Sequence, residues 1–256
     1  MKIQNKCVVV TGGGSGIGAA LARRFAAEGA RGVVVADVQP AVDAVADEVN
    51  GLAVHCDVSV ESDVAALIDA AEARFGPVDL FCSNAGIFVP GGADVVDRDW
   101  DRAIGVNVMA HIYAARMLMP RMLDRGEGYL LQTASAAGLL TQICSAPYAV
   151  TKHAVIAFAE WLAITYGDRG LKVSVLAPQA VNTAMTAGTE NGGVAGVDGM
   201  LEPADVADAV VAGIDAEQFL ILPHPEVLEY FRRKSSDYDR WLRGMRRLQA
   251  QFGNMF

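Results

Sequence analysis

Apolar residues along this chain fall into two alternating kinds of run. Short unbroken runs at 7–11, 33–36, 52–56, 78–82, 129–134, 171–177 and 219–222 lack the polar alternation of a half-exposed strand. Continuous apolar runs of that length, bounded by turn residues, are the pattern of strands buried on both faces. Between them the apolar positions recur at helical spacing, which predicts helices over 19–28, 41–49, 61–75, roughly 98–125, 148–168 and 203–215. Gly29 ends the first helix, Asp37 closes the second strand, Ser59 is placed to cap the helix at 61, and Gly76-Pro77 stops it. Strands alternating with helices predict an α/β fold, a doubly wound parallel sheet of Rossmann type with about seven strands and helices on both faces. No linker or internal repeat divides the chain, so residues 1–256 read as one domain. Two segments stand apart from the alternation. Residues 184–200 are glycine-rich and read as a lid over the site. After Pro223-His-Pro225, residues 224–256 read as a helical extension, with Ser236 as a cap for the last helix. In it Phe231, Tyr238, Met245 and Phe252, with Trp241 and Leu248 between, form a stripe that needs a partner: its own domain, a second subunit or the active site.

A sheet of this kind binds ligands beyond the carboxyl ends of its strands, and the candidate chemistry falls at those ends. Thr11-Gly-Gly-Gly-Ser-Gly-Ile-Gly18 joins the first strand to the first helix. Gly12, Gly16 and Gly18 allow a tight turn and close approach to a pyrophosphate, with Ser15 and Ile17 in the same turn at a helix N-terminus. Asp37 can accept both ribose hydroxyls of an adenosine and would repel a 2′-phosphate, and neither Ser15 nor Val38 supplies a cation. The expected cofactor is therefore NAD rather than NADP. Asp57-Val58 could meet the adenine or cap the next helix. Asn84-Ala85-Gly86 could let a cofactor lie against backbone, or Asn84 could simply hold a left-handed turn. Asn107 lies in an apolar helical stretch, where a lone Asn commonly faces solvent or caps.

Tyr148 and Lys152 lie four apart behind Pro147, a residue favoured at helix starts, so they share one helix face. An ammonium beside a phenol lowers the phenol pKa and makes it a usable acid/base. Ser135 could return a hydroxyl to the same place. Gln142, Ile143, Cys144, Gln179 and Met185, with Ile87, Phe88 and Val89, are candidate substrate-lining residues. They are mostly apolar, which points to a hydrophobic secondary alcohol or its ketone.

Composition narrows the partners. A net charge of −9 argues against nucleic acid or an anionic membrane, although Arg232, Arg233, Lys234, Arg240, Arg243, Arg246 and Arg247 make the extension locally basic. The four cysteines are scattered without a C-x-x-C, which predicts reduced thiols and a cytoplasmic setting. No signal peptide or run of membrane-spanning length is visible. His55, His111, His153 and His224 lack ligand spacing, so no metal is expected.

Together these motifs, Thr11-Gly-x-x-x-Gly-x-Gly18, Asp57, Asn84-Ala-Gly86, Asn107, Ser135, Tyr148-x-x-x-Lys152 and Pro178-x-x-Val181-x-Thr183, resemble the short-chain dehydrogenase/reductase family from residue 5 to about 222. The resemblance implies that Tyr148 is the acid/base and that Lys152 holds the nicotinamide ribose and lowers the Tyr148 pKa. It implies that Ser135 binds the substrate oxygen and that Asn107 orders a water linking Lys152 to solvent. Pro178, Val181 and Thr183 would contact the nicotinamide carboxamide. It also implies a homo-oligomer, dimer or tetramer, through the long helices. Gln179 departs from the family pattern, which has Gly there. The competing readings are a reductase of 3-oxoacyl thioesters and a non-catalytic dinucleotide sensor.

Overall fold

The computed structural model describes residues 1–252. Seven parallel strands, β1 (Cys7–Thr11), β2 (Gly32–Asp37), β3 (Leu52–His55), β4 (Leu80–Ser83), β5 (Gly128–Thr133), β6 (Leu171–Leu176) and β7 (Leu220–Ile221), form one sheet in the order β3-β2-β1-β4-β5-β6-β7. The order reverses between β1 and β4, and that reversal opens the crevice at the strand ends.

Helices α1 (Gly16–Ala27), α2 (Ala41–Glu48) and α8 (Pro203–Asp215) cover one face; α3 (Glu61–Phe75), α5 (Ala110–Arg125) and α7 (Ala146–Tyr166) cover the other. Alternate residues of each strand serve the two cores. Val8 and Val10 pack with Leu21, Phe25, Val42, Val206 and Ile214, whereas Cys7 and Val9 pack with Leu67, Ile68, Leu118, Val155 and Leu162. That double duty is why the strands read as unbroken apolar runs. Each fully buried Leu, Val or Phe contributes about 1.5–3 kcal/mol of burial, so the two cores hold the strand ends rigidly.

The structure corrects several boundaries. The stretch 98–125 is not one helix: α4 (Asp97–Ile104) passes through a π-helical turn, Gly105–Met109, into α5. The fourth strand begins at Leu80 rather than 78, because Asp79 turns its carboxylate to the Cys7 N–H (2.7 Å) and the Arg31 guanidinium (3.1 Å). Ser59 does not cap α3. Its hydroxyl donates to Asp57 (2.7 Å), and Val60 occupies the cap position. Ser236 does not cap the last helix either; it donates to the Arg233 carbonyl, and Asp237 accepts the Arg240 N–H. The extension is two helices, α9 (Glu226–Ser236) and α10 (Tyr238–Phe252). A short helix, α6 (Ala136–Leu140), follows β5. No helix of the described residues is long and apolar enough to cross a membrane.

Candidate active site

The site is built around the start of α7. Ser145 caps that helix, accepting the Tyr148 N–H at 3.1 Å and donating its own proton to the Val89 carbonyl at 2.5 Å. Pro147 sits in the first turn, where its missing N–H costs nothing. Backbone bonds from Gly91 N–H to Cys144 (2.9 Å) and from Ala146 N–H to Gly91 (2.8 Å) then fix the loop after β4 against the entry to α7. These contacts bring Phe88 onto Tyr148, with ring centroids 5.2 Å apart. Ser145 was not among the candidates read from the sequence, yet Ser-Ala-Pro before a helical pattern is a legible cap signal.

One turn on, Lys152 is buried, and its Nζ donates to the Thr133 carbonyl at 2.9 Å. The Nζ lies 5.5 Å from the Tyr148 ring centroid. Ser135, at the end of β5, accepts the Ala137 N–H at 3.1 Å and donates to the Pro178 carbonyl at 3.3 Å. Its hydroxyl lies close enough to Tyr148 to favour the ionised phenol. Ser135, Tyr148 and Lys152 thus converge as their spacing anticipates.

The electrostatics differ from the simple expectation. Burial raises the Tyr148 phenol pKa, and the Ser135 hydroxyl only opposes that shift. Burial also lowers Lys152 to about 8. Lys152, its Nζ turned to the Thr133 carbonyl, does not offset that burial. The expected lowering of the Tyr148 pKa by its neighbour is therefore corrected for this state of the protein.

Asn107 is fully buried, on the π turn rather than in a regular helix. Its Oδ1 accepts the Ile87 N–H at 2.8 Å, and its Nδ2 donates to the Ile87 carbonyl at 2.9 Å and to Thr151 Oγ1 at 3.1 Å. The side chain therefore ties the loop after β4 to α7. A π turn frequently marks a functional position. Nearby, His111 and Gln132 are buried and hydrogen-bonded to each other. Burial, with the Lys152 charge adding, holds His111 down to about 3, so its imidazole stays neutral.

The glycine turn fits a pyrophosphate. Gly12 has a φ of +64°, and a Cβ there would lie 2.8 Å from the Ala85 Cα; a Cβ on Gly18 would lie 2.1 Å from the Gly12 carbonyl oxygen. The first turn of α1 carries no acidic residue, and the Ser15 hydroxyl makes no cap bond, so the helix N-terminus is left for an anion. Asp37 lies beside this turn, accepting the Gly14 N–H at 3.0 Å and the Gln39 N–H at 3.0 Å. Asp57, at the end of β3, is exposed, and its carboxylate accepts from Ser59 backbone and hydroxyl, while Val58 is buried in the core.

Asn84 does not hold a left-handed turn. Its Nδ2 donates to the Thr11 carbonyl at 3.0 Å, and its Oδ1 accepts from Thr133 Oγ1 at 3.4 Å. It clamps β1, β4 and β5 at their carboxyl ends, leaving Ala85 and Gly86 to face the crevice floor. Thr183, in the loop after β6, would touch a Cβ on Gly16 at 3.0 Å, which brings that loop to the glycine turn. Val181 is buried.

Gln179 keeps out of the left-handed region, so the loop does not need the freedom of glycine there. Its backbone N–H donates to His224 Nδ1 at 3.2 Å, and its side-chain amide donates to Asp198 at 3.1 Å, directing it toward the 184–200 segment. Ile143 is buried, Gln142 and Cys144 half-buried and Met185 exposed. Among the described residues no cluster of His, Cys, Asp or Glu could hold a metal ion.

The comparisons agree with this geometry. The family model for short chain dehydrogenase matches residues 6–192. A 1-deoxy-11-beta-hydroxypentalenate dehydrogenase of Streptomyces exfoliatus is 35% identical over 247 residues, covering 93% of this chain and 90% of that protein. A meso-2,3-butanediol dehydrogenase of Serratia marcescens is 36% identical over 193 residues, 73% of this chain and 76% of that protein. The crystal structure of a short chain dehydrogenase/reductase from Burkholderia phymatum in complex with NAD superposes with a TM-score of 0.85 at 30% identity, covering 93% of this chain and 96% of that one. With its sheet order, glycine turn and Ser135–Tyr148–Lys152 grouping, the chain belongs to the short-chain dehydrogenase/reductase family.

Proposed function

We propose that this protein interconverts a hydrophobic secondary alcohol and its ketone with NAD as the redox partner, using Tyr148 as acid/base. The observation that carries the reading is the convergence of Ser135, Tyr148 and Lys152 on one wall of the crevice, braced by Asn107. Gly12, Ser15, Gly16, Ile17 and Gly18 would hold the pyrophosphate and Asp37 the adenosine ribose. Asp57 and Val58 would flank the adenine, Ala85 and Gly86 would border the central crevice, and Pro178, Val181 and Thr183 would border the nicotinamide. Relatives that are named dehydrogenases of hydroxyl compounds, and a structural neighbour holding NAD, support this assignment. When bound, NAD supplies the hydride acceptor for alcohol oxidation and, reduced, the donor for ketone reduction.

The protein's own groups manage the proton and the oxygen. In oxidation the ionised Tyr148 oxygen takes the substrate hydroxyl proton; in reduction the neutral phenol returns it. Burial favours the neutral phenol, the form that donates a proton in reduction. The Ser135 hydroxyl donates to the Pro178 carbonyl at the long distance of 3.3 Å, so its proton can turn to the substrate oxygen and stabilise the charge there. Lys152 Nζ, near its titration point at about 8, holds the ribose and exchanges protons at neutral pH. Phe88, Ile143 and Cys144 exclude water from the reacting carbon.

We further propose a cytoplasmic homo-oligomer, dimer or tetramer, through α4–α5 and α7. Trp161 and Ile164 on α7 are 52% and 85% exposed, an outward apolar face that supports such contact. The functional test is NADH formation with a panel of secondary alcohols, beside NADH and NADPH binding by nicotinamide fluorescence. Turnover of apolar alcohols with tighter NADH binding is expected. Asp37→Ala should erase the preference for NADH over NADPH. Tighter NADPH binding by the wild type, or turnover only of strongly anionic substrates, would contradict the reading.

A further inference from the structure

Helix α10 ends over the loop that leads into Tyr148. Trp241, Met245, Leu248 and Phe252 are half-buried at helical spacing, whereas Arg240, Arg243, Arg246 and Arg247 are exposed. One apolar stripe therefore faces the body of the protein and the basic face looks outward. Of the stripe expected from sequence, Phe231 and Tyr238 fall outside it, both being exposed.

Trp241 packs on the core beneath α7, and α10 contacts α9 and the turn at 190–196. At its C-terminal end the Phe252 carbonyl accepts a hydrogen bond from Cys144 Sγ at 3.5 Å. Three further contacts fasten the extension. The buried Lys234 ammonium donates to the Leu139 carbonyl (2.6 Å), the Tyr230 hydroxyl donates to Asp198 (2.8 Å), and His224 accepts the Gln179 N–H (3.2 Å). They reach α6, the 184–200 segment and the loop after β6, which flank Ser135 and Tyr148. The loop between α6 and α7 also holds Thr141 and Cys144 at φ of +92° and +67°, backbone conformations that non-glycine residues adopt at a cost and that cluster at ligand sites.

Resting on the dehydrogenase reading above, we propose that α10 is the outer wall of the substrate crevice and that Leu248 and Phe252 set the size of alcohol or ketone that reaches Tyr148. The segment is not a solvated tail. Its end meets the loop that carries Ile143 and Cys144, and Phe88 packs on Tyr148 at the end of that loop. The segment's place accords with the half-burial of Cys144; the fasteners anchor α9, while α10 is held by its apolar stripe, the Cys144 contact and Tyr238 under the Lys234 ammonium, 5.5 Å from its ring centroid.

The test uses the full chain and two readouts. Cys7, Cys56 and Cys82 are buried and Cys144 is not, so Cys144 reports the cover. In Leu248→Ala/Phe252→Ala, labelling of Cys144 by N-ethylmaleimide should accelerate severalfold, with NADH affinity retained. The ratio of kcat/KM for 2-decalol to that for 2-butanol should rise about tenfold, the scale at which apolar pockets discriminate size. Leu248→Trp, which thickens the same wall, should lower that ratio. An unchanged labelling rate in the double variant overturns the proposal whether or not any alcohol is oxidised. An equal change in kcat/KM for both alcohols overturns it as well. Failure of the wild type to oxidise either alcohol counts against the dehydrogenase reading alone, and the labelling then decides about the wall.

Discussion

At the scale of single residues, the pair Tyr148 and Lys152 is governed by burial. Burial holds Lys152 at about 8, below its ordinary 10.5. The folded protein binds that proton less tightly than the unfolded chain, so the resulting penalty applies in full below pH 8 and fades as pH rises toward 10.5. Wild type is therefore expected to gain stability relative to Lys152→Met between pH 8 and 9.5, in paired denaturant titrations. Tyr148 is present in both proteins, so the titration of its unfolded form near pH 10 cancels in the comparison. A constant difference between the two proteins from pH 7 to 9.5 would mean that Lys152 is not desolvated as described. The proximity of these side chains was legible from their spacing. The balance between burial and charge was not, because it depends on how deeply the fold buries both groups, which spacing along one helix does not state.

At the scale of elements, the apolar runs announced the sheet because each strand feeds two cores, and the glycine turn announced the crevice because only backbone fits there. Gly18→Ala places a methyl carbon 2.1 Å from the Gly12 carbonyl oxygen, so the turn must move. The substitution is expected to lower NADH affinity at least tenfold and to destabilise the protein by about 2 kcal/mol or more, measured by fluorescence titration and chemical denaturation. Wild-type values for both would refute the close-approach role. What hydrophobic periodicity did not reveal was the π turn at Gly105–Met109, where one extra residue shifts the pattern by a single position within the mostly apolar stretch 103–114. Asn107 was thus visible as an oddity while its work, bonding both backbone groups of Ile87, was not. Asn84 illustrates the reverse case. Its position at a strand end was legible, but its amide serves the Thr11 carbonyl rather than a left-handed turn.

At the scale of the whole molecule, a chain of net charge −9 carries a local run of exposed bases, Arg232, Arg233, Arg240, Arg243, Arg246 and Arg247, on α9 and α10. The exposed apolar residues of α7 support the oligomer. Ile164→Asp is expected to lower the mass in light scattering by at least half, with the fold intact by circular dichroism; an unchanged assembly would remove α7 from the interface. The fold, with its rigid double core, holds Ser135, Tyr148 and Lys152 at the strand ends, and everything else about the proposed reaction depends on that placement. The most direct measurement is NADH formation from an apolar secondary alcohol by the wild type and by Tyr148→Phe. The account predicts that the variant binds NADH within a few-fold of wild type while kcat falls by about 10³, the scale expected for loss of a positioned acid/base. Equal turnover by the two proteins would contradict the assignment of Tyr148.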